Sequence, residues 1–447
     1  MITSSDRREN SEPQDLQSLS AKPTLRITTT RVRYHLVALL SVGTAVNYLD
    51  RVNISVAAAA MMNVTGWQKD KFGLVFSSFL LGYALMQIPA GLIADQVSTR
   101  WLLALTFCGF SLLTALTPLA AKTFLGLLLV RFLIGICEAV TFPAITSFNA
   151  RWFTHLGYGR AQMLSVAGAP VGQMIAYPLT AWMVLRGYWP EAFYASALVG
   201  FLWIGVWLWY STDYPQDHWA MDAGELQSIG APIASDSARP LRFKALITSA
   251  PLLLISASAM GFSFVLWTFL FWLPTYLLQA RGLSLAAVSI CGVGIQGCGF
   301  LGLLWSGMAS DAILRKTSRA HMARTKFGGA CLALGIGFLL AGVSTRSTPA
   351  CLVLLAIFYF WHMSSAVAYH TTPAALHPGQ AGSIYGVLNC GANLGGVLGP
   401  AFVGFITTYG TSWKHSFEIV SVAGVLAATI LFFVPIRRLD AADACTP

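Results

Sequence analysis

The sequence predicts an all-α membrane protein in which twelve transmembrane helices form two six-helix bundles related by pseudo-symmetry. Of its 447 residues, 56% are hydrophobic and only 10% are charged, whereas a soluble domain carries about 25% charged residues. Twelve apolar runs each provide the roughly 20 residues that a spanning helix needs. The longest polar stretch inside the chain, 212–249, divides these runs six and six. The composition therefore excludes a soluble protein.

The expected spans lie between short polar connections. They are 34–57, 72–94, 101–121, 124–147, 160–185, 191–211, 250–279, 285–309, 326–345, 350–376, 382–409 and 415–436. The corresponding domains are a cytoplasmic tail (1–33), an N-terminal bundle (34–211), a cytoplasmic linker (212–249), a C-terminal bundle (250–436) and a second tail (437–447). The first tail is polar and lacks the features of a signal peptide, so we expect it to be disordered.

The basic residues predict the orientation of the chain. Of its 28 lysines and arginines, nineteen fall in segments that would be cytoplasmic with both termini inside, and seven fall in outer loops. This bias follows the positive-inside rule. The remaining two, Arg51 and Arg131, lie within spans. The net charge of +10 is scattered between apolar runs, so it indicates membrane topology and not a nucleic-acid partner.

A short pattern occurs once in each half, at the connection between the second and third spans. The first copy runs from Gly91 to Asp95 and is followed by Arg100, and the second runs from Gly307 to Asp311. The two copies predict a duplicated six-helix unit. The glycines would let helices approach closely, and the aspartates would cap a following helix or pair with a loop arginine. These residues are candidates for a cytoplasmic gate; alternatively, the aspartates only end helices.

Four charged residues interrupt the apolar spans: Asp50 and Arg51 in the first, Arg131 and Glu138 in the fourth. A charge at the bilayer centre costs roughly 3 kcal/mol or more, so such residues are paired, hydrated or functional. Adjacent residues point about 100° apart around a helix, so Asp50 and Arg51 should have different partners. Span directions place Asp50 and Arg131 each about 10 Å below the outer end of its span. We therefore expect these two to pair, with Glu138 deeper and Arg51 available for an anion.

This set of charges can link protonation to anion binding. A carboxylate that takes up a proton releases its arginine, and a free arginine grips a substrate carboxylate in bidentate fashion. Asp50 and Glu138 are the candidate proton-coupling residues, and Arg51 and Arg131 are the candidate anion-binding residues. The alternative is a set of structural ion pairs that only locks the helices together.

Other polar residues in the spans are weaker candidates for substrate binding. Gln173 follows a Pro- and Gly-containing stretch and either contacts substrate or bonds another helix. Asn389 and Asn393 lie four residues apart in span 11, and their amides suit sugar hydroxyls. His370 in span 10 is a candidate proton relay or substrate contact, or it only bonds a backbone carbonyl.

Four motifs carry a resemblance to a known family. They are Asn47-Tyr48-Leu49-Asp50-Arg51, the stretch from Arg131 through Glu138 to Pro143, Leu273-Pro274-Thr275-Tyr276-Leu277, and Asn389 through Asn393 to Pro400. Together they resemble the anion:cation symporter family of the major facilitator superfamily. This branch includes bacterial sugar-acid transporters, sialin and the vesicular glutamate transporters.

The resemblance implies uptake of an organic anion, such as a hexonate, a hexuronate or another carboxylate, driven by the proton gradient. It implies that Asp50 and Glu138 are protonation sites and that Arg51 and Arg131 contribute to anion binding and coupling. Tyr48 and Asn393 match positions that line the substrate pocket. Tyr369 and His370 fall where the sugar-acid transporters have an aromatic residue, often tryptophan.

The expected partners are a small organic anion, protons and the lipid bilayer, with the chain acting as a monomer in a bacterial inner membrane. No cofactor is expected, and neither a nucleophile–base constellation nor a set of metal ligands is evident, so the sequence does not indicate an enzyme. Two alternatives remain open: a proton-driven exporter or facilitator of the same fold, and an anion channel or sensor.

Overall fold

A computed structural model describes residues 30–153, 155–229, 249–319, 321–376, 381–410 and 412–434. Almost all of the two expected tails and the 230–248 part of the linker lie outside the described residues. The described helices are α1 Val32–Thr65, α2 Lys69–Gln96, α3 Thr99–Ala120, α4 Phe124–Ala139, α5 Thr141–Trp152, α6 His155–Val166, α7 Gly168–Leu185, α8 Trp189–Tyr210, α9 Ala223–Ile229, α10 Ala250–Gln279, α11 Leu285–Thr317, α12 Phe327–Ser344, α13 Thr348–Leu376, α14 Ala381–Thr408 and α15 Trp413–Phe433.

These helices confirm the predicted all-α membrane fold. Nine helical segments of the described chain are long and apolar enough to cross a membrane, and the other three expected spans correspond to α1, α2 and α6–α7. The α4–α5 pair forms the fourth span, and a π-helical turn, Met322–Lys326, precedes α12 in the ninth. The expected boundaries agree within five residues, except that α1 and α11 each continue eight residues further.

A proline follows each of the interruptions in the fourth and fifth spans. Pro143 and Pro170 are each the third residue of the second helix in their span, α5 and α7. Proline lacks a backbone N–H and is tolerated in the first turn of a helix, so a helix readily restarts there. Other prolines, such as Pro89 and Pro274, lie inside continuous helices, so proline alone does not account for the breaks. The break in the fourth span follows the turn that carries Glu138. The break in the fifth span precedes Gln173 by about one and a half turns.

The two halves meet on one side of the molecule. We call the side that carries residues 30, 97, 212 and 434 the terminal side, and the opposite one the far side. Near the far side, α2 packs along α14 and α7 packs against α11. The packing is close: a Cβ added at Gly73 would lie 2.6 Å from the carbonyl oxygen of Pro400, and one at Gly292 would overlap the Tyr177 ring. The far side is therefore closed.

One hydrogen bond joins the halves nearer the terminal side. The Gln87 side-chain oxygen accepts a hydrogen bond from the Asn389 side chain at 3.1 Å between α2 and α14. Closer to that side, a Cβ added at Gly91, Gly307 or Gly386 would meet no described atom within 4 Å. The expected close helix approach at Gly91 and Gly307 is therefore not seen among the described residues, and their role in a gate remains a prediction.

The first part of the linker folds back onto the N-terminal bundle and caps α1. The Glu225 carboxylate is 1% exposed and accepts hydrogen bonds from the backbone N–H groups of Val32 (3.0 Å) and Arg33 (3.2 Å) and from the Thr30 hydroxyl (2.6 Å). The first N–H groups of a helix have no partner within the helix, and a negative charge there is favourable. A distant acid therefore supplies the cap that the residues before α1 do not provide.

We predict that Glu225→Ala lowers the free energy of unfolding by about 1–3 kcal/mol, because it leaves buried N–H groups without an acceptor. Thermal unfolding of the purified protein in detergent measures the change. Asp217→Ala, an exposed acid in the same linker segment, is the matched control and should change little. Equal effects of the two substitutions would contradict the cap.

His218 makes the same segment sensitive to pH. Its Nδ1 atom accepts a hydrogen bond from the Ala220 N–H at 3.1 Å, and its Nε2 atom lies 2.8 Å from the Tyr210 carbonyl oxygen, where it donates. The neutral ring satisfies both contacts. Burial lowers the pKa of His218 below its usual value, and the Tyr210 carbonyl opposes this only in part.

We therefore predict that His218 stabilises the fold fully above about pH 6.5, its unfolded pKa, and that this stabilisation is lost as the pH falls towards the lowered pKa. The melting temperature measured between pH 7.5 and 5 should decline less in His218→Gln than in the parent protein. His415→Gln, at an exposed position in α15, should retain the parent's decline. An unchanged decline in His218→Gln would exclude this role.

Candidate functional site

The four charges in the spans form one buried cluster between α1 and α4. The Arg51 Nε atom donates to a Glu138 carboxylate oxygen at 2.6 Å, and an Arg131 terminal nitrogen lies 3.7 Å from an Asp50 oxygen. No side chain of the four is more than 3% exposed. Two acids and two arginines thus give a cluster with no net charge.

Two expectations about this cluster need correction. The Asp50–Arg131 pair is present, but Asp50 lies fifteen residues before the end of α1, about 22 Å along the axis, and not about 10 Å below it. The last turns of α1 continue beyond the predicted span. Arg51 is not left free for an anion, because Glu138 holds its Nε atom.

Thr114 of α3 is a member of the cluster that the sequence did not reveal. Its hydroxyl donates to the second Asp50 oxygen at 2.8 Å. A single threonine in an apolar span usually bonds its own helix backbone, so no sequence signal distinguished it. Within the described chain, the three side-chain nitrogens of Arg131 have no hydrogen-bond partner. Thr114 therefore holds Asp50 by a hydrogen bond, while Arg131 holds it by charge alone.

Aromatic rings surround the Arg51 guanidinium. Its carbon lies 4.7 Å from the ring centres of Tyr48 and Tyr83, 5.2 Å from Phe79 and 5.9 Å from Trp267. Such cation–π contacts contribute about 2 kcal/mol or more when they are desolvated. Three of these rings, from α2 and α10, were not predicted, since aromatic residues are common in spans. The rings carry no formal charge, yet their faces stabilise the buried guanidinium cation.

A cavity lies beside Arg51, between the two halves. It is small, with a volume of about 10 Å³ that gives room for about one water molecule. It is lined by Tyr48, Arg51, Val52, Ser55, Gln173, Trp267, Leu270 and Phe271. Three of the expected substrate residues, Tyr48, Arg51 and Gln173, thus lie around one cavity. The Arg51 Nη2 atom has no hydrogen-bond partner among the described residues. The same guanidinium therefore joins the proton-binding candidates to the cavity.

The other expected substrate residues lie elsewhere. The Asn389 side chain bonds to Gln87. Asn393 is 5% exposed, and its buried amide nitrogen has no hydrogen-bond partner among the residues that the structure describes. His370 is exposed and its ring stacks on Tyr385 at 5.6 Å. None of these three lines the cavity beside Arg51, so their predicted roles as substrate contacts remain predictions.

The terminal-side ends of the helices carry two charged contacts. Asp213, which was not predicted, accepts hydrogen bonds from the side chains of Ser98 and Thr99 and from the backbone of Arg100 at the start of α3. The Arg100 guanidinium bonds the Leu208 carbonyl. In the second half, Asp311 pairs with Arg324 at 3.1 Å, as the arginine-pairing hypothesis predicted. The side chain of Asp95 lies outside the described part of the structure.

The family model of the Major Facilitator Superfamily matches residues 40–389. The chain belongs to the major facilitator superfamily. Its relatives confirm the expected anion:cation symporter branch. A "Probable sulfoacetate transporter" of Cupriavidus necator is 30% identical over 92% of this chain and 96% of its own length. The hexuronate transporter of Bacillus subtilis is 28% identical over 90% of this chain and 94% of its own length. The family transports solutes, so the chain is a transporter of organic anions and not an enzyme.

A solved structure supports the fold independently. A bacterial homolog of the human lysosomal transporter Spinster, in an inward-facing and unoccupied conformation, superposes with a TM-score of 0.76 over 91% of this chain and 97% of its own. The sequence identity is 19%, so this likeness concerns the fold alone. The helices thus have the major facilitator arrangement that the family model indicates.

We predict that Asp50→Asn lowers the free energy of unfolding by about 3–5 kcal/mol, because it leaves the buried charge of Arg131 uncompensated. The double variant, with Asp50→Asn and Arg131→Met together, should lose less unfolding free energy than the sum of the losses in the two single variants. Thermal unfolding of all four proteins gives the coupling energy. The exposed Lys414–Glu418 pair is the control, with a coupling below about 1 kcal/mol. Additive losses at Asp50 and Arg131 would contradict a paired cluster.

Proposed function

We propose that this protein imports an organic anion together with protons by alternating access across a bacterial inner membrane. The observation that carries the proposal is the position of Arg51. Glu138 holds its Nε atom at 2.6 Å, while its side chain lines the cavity between the halves. One guanidinium is therefore shared between a titratable acid and the space where a substrate would bind.

Protonation and anion binding are coupled because the buried cluster must stay electrically neutral. When Glu138 takes up a proton, Arg51 loses its counter-charge and the cluster becomes positive by one. A substrate carboxylate restores neutrality, and arginine binds it through two parallel hydrogen bonds. When Glu138 releases the proton, it pairs with Arg51 again and the anion is released. The Asp50–Arg131 pair offers a second protonation site with the same chemistry.

The arrangement of the halves supports alternating access. The far side is closed by the α2–α14 and α7–α11 contacts, while the Gln87–Asn389 hydrogen bond joins the halves nearer the terminal side. With both chain ends in the cytoplasm, as the distribution of basic residues favours, the closed far side is the outer one. Candidate substrates are sugar acids such as a hexonate or hexuronate, or another carboxylate, as the names of the hexuronate and sulfoacetate transporters suggest.

Uptake into proteoliposomes with an imposed proton gradient tests this proposal. Sugar acids, aromatic acids and dicarboxylates are screened as radiolabelled substrates. We expect accumulation when the outside is acidic and loss of accumulation with an uncoupler. Accumulation that follows a sodium gradient would exclude proton coupling. Accumulation that requires the opposite proton gradient would identify an exporter, and uptake that never exceeds equilibrium would identify a facilitator or channel.

For the coupling residue, we predict that Glu138→Gln abolishes proton-driven accumulation but retains exchange of internal for external substrate. The neutral amide keeps the shape of the site while it removes the titrating group. Glu191→Gln, an exposed acid at the start of α8, is the matched control and should accumulate normally. Proton-driven accumulation in Glu138→Gln would remove Glu138 from the coupling mechanism.

A further inference from the structure

A larger cavity lies on the outer surface of the N-terminal bundle. It is lined by residues of α1 between Tyr34 and Ala45 and by residues of α6 and α7 between Leu164 and Val171, and its volume is about 410 Å³. This size falls within the range of ligand pockets, roughly 300–1,000 Å³. We call it the α1 groove. Its lining carries no charged residue and two hydroxyl groups, those of Tyr34 and Ser41, so it favours an apolar occupant.

The α1 groove faces away from the cavity beside Arg51. Val42 and Arg51 lie nine residues apart on α1, and Val171 and Gln173 lie two apart on α7, which places the members of each pair on nearly opposite faces of their helices. Arg51 and Gln173 line the cavity between the halves, whereas Val42 is 53% and Val171 is 40% exposed. Apolar side chains exposed on this outer face of a membrane-spanning bundle meet lipid. The groove therefore opens to the membrane.

Close packing of α1 on α7 shapes the groove. A Cβ added at Gly168 would overlap the carbonyl oxygen of Ser41, and one at Gly172 would overlap that of Ala45. Small residues let two helix backbones approach in this way. The small side chains of Ala38, Ser41 and Ala45 leave a trough beside this contact instead of filling it.

The length of the groove matches one leaflet of a bilayer. Tyr34 is the third residue of α1, and Ala45 lies eleven residues further, which corresponds to about 16 Å along the helix axis. The hydrocarbon core of a bilayer is about 30 Å thick, so one leaflet provides about 15 Å. The groove thus begins at the terminal side and runs through a single leaflet, as an acyl chain does.

A cation stands at the terminal-side end of the groove. Arg31 is exposed and lies directly before α1. Its carbonyl oxygen accepts hydrogen bonds from the backbone N–H groups of Tyr34 and His35, so the chain already turns as a helix at this residue. Arg31 precedes Ala38 by seven residues, or about two turns, and therefore lies on the helix face that carries the groove.

The other charges near this end already have partners. Arg33 pairs with Glu225 at 3.6 Å, and the Asp222 carboxylate accepts a hydrogen bond from the Thr30 backbone N–H at 2.7 Å. Within the described chain, Arg31 forms no ion pair. Its guanidinium is therefore available to an anion at the membrane surface.

We propose that the α1 groove binds a phospholipid with an acidic headgroup, with one acyl chain in the groove and the phosphate at Arg31. The apolar lining and the length fit the chain, and arginine binds phosphate oxygens through parallel hydrogen bonds. In a zwitterionic headgroup the ammonium offsets the phosphate charge, so an acidic lipid is preferred. A bound chain would support the packing of α1 on α7, the helices that carry Arg51 and Gln173. The proposal does not depend on the substrate or on proton coupling.

Lipid binding to the purified full-length protein tests this proposal. A lipid titration in detergent, followed by native mass spectrometry, gives the dissociation constant of the first bound lipid for phosphatidylglycerol and for phosphatidylcholine with the same acyl chains. We expect phosphatidylglycerol to bind about fivefold more tightly. Equal binding of the two lipids would overturn the proposal. Glycerol phosphate without acyl chains should bind far more weakly, and binding as tight as that of phosphatidylglycerol would instead indicate a site for soluble phosphates.

A first pair of variants tests the role of the charge. Arg31→Gln should weaken phosphatidylglycerol binding about fivefold and leave phosphatidylcholine binding unchanged. Arg315→Gln removes an exposed arginine at the terminal-side end of α11 and should alter neither. Equal losses in the two variants would mean that the basic terminal side attracts acidic lipid without a specific site, which contradicts the proposal.

A second pair tests the groove itself. Ala38→Leu adds a side chain within the groove, whereas Ala257→Leu makes the same change at an exposed position equally near the terminal-side end of α10. Leucine is a good helix former, so neither substitution should change the melting temperature without added lipid. Ala38→Leu should weaken the binding of both lipids by about tenfold, and Ala257→Leu should weaken neither. Parent-like affinity in Ala38→Leu would place the lipid elsewhere and refute the proposal.

Discussion

Buried charges in this transporter are tolerated only because they cancel. Asp50, Arg51, Arg131 and Glu138 are all enclosed by the N-terminal bundle, where removing one partner of an ion pair costs several kcal/mol. The cluster therefore fixes α1 against α4 and, through Thr114, against α3. It also constrains how the two acids can be protonated. A proton that neutralises one acid must be accompanied by a negative charge from elsewhere, and the cavity beside Arg51 is where that charge can be placed.

The aromatic rings around Arg51 make this exchange physically reasonable. Tyr48, Phe79, Tyr83 and Trp267 lie within 6 Å of the guanidinium on its several sides. Ring faces attract a cation regardless of which anion it binds. In the proposed mechanism the rings would hold the arginine in position while its carboxylate partner changes from Glu138 to a ligand, so that neither state leaves a bare charge in a low-dielectric interior. Two of these rings, Tyr48 and Trp267, also line the cavity.

The sequence predicted which residues belong to this cluster better than it predicted where they lie. Charges in apolar runs are costly enough to stand out, and the angle between Asp50 and Arg51 indicated that they have different partners. The distance from Asp50 to the end of its helix was underestimated because the predicted span stops at residue 57, whereas α1 continues to Thr65. Thr114, Tyr83 and Trp267 look like ordinary span residues until the helices are packed. The Glu225 cap and the Gln87–Asn389 bond join residues 193 and 302 positions apart, and local patterns carry no information about such contacts.

The helix break after Glu138 connects the acid to the cavity by a second route. Glu138 occupies the last turn of α4, and the chain restarts as α5 at Thr141, with Pro143 tolerated in the first turn of the new helix. The next residue, Phe142, packs edge-on against the Tyr48 ring at 6.3 Å, and Tyr48 lines the cavity. One interrupted turn therefore carries both the buried acid and a ring that packs against the lining of the cavity. A continuous helix would hold these residues at a fixed rotation, whereas a break relieves that constraint.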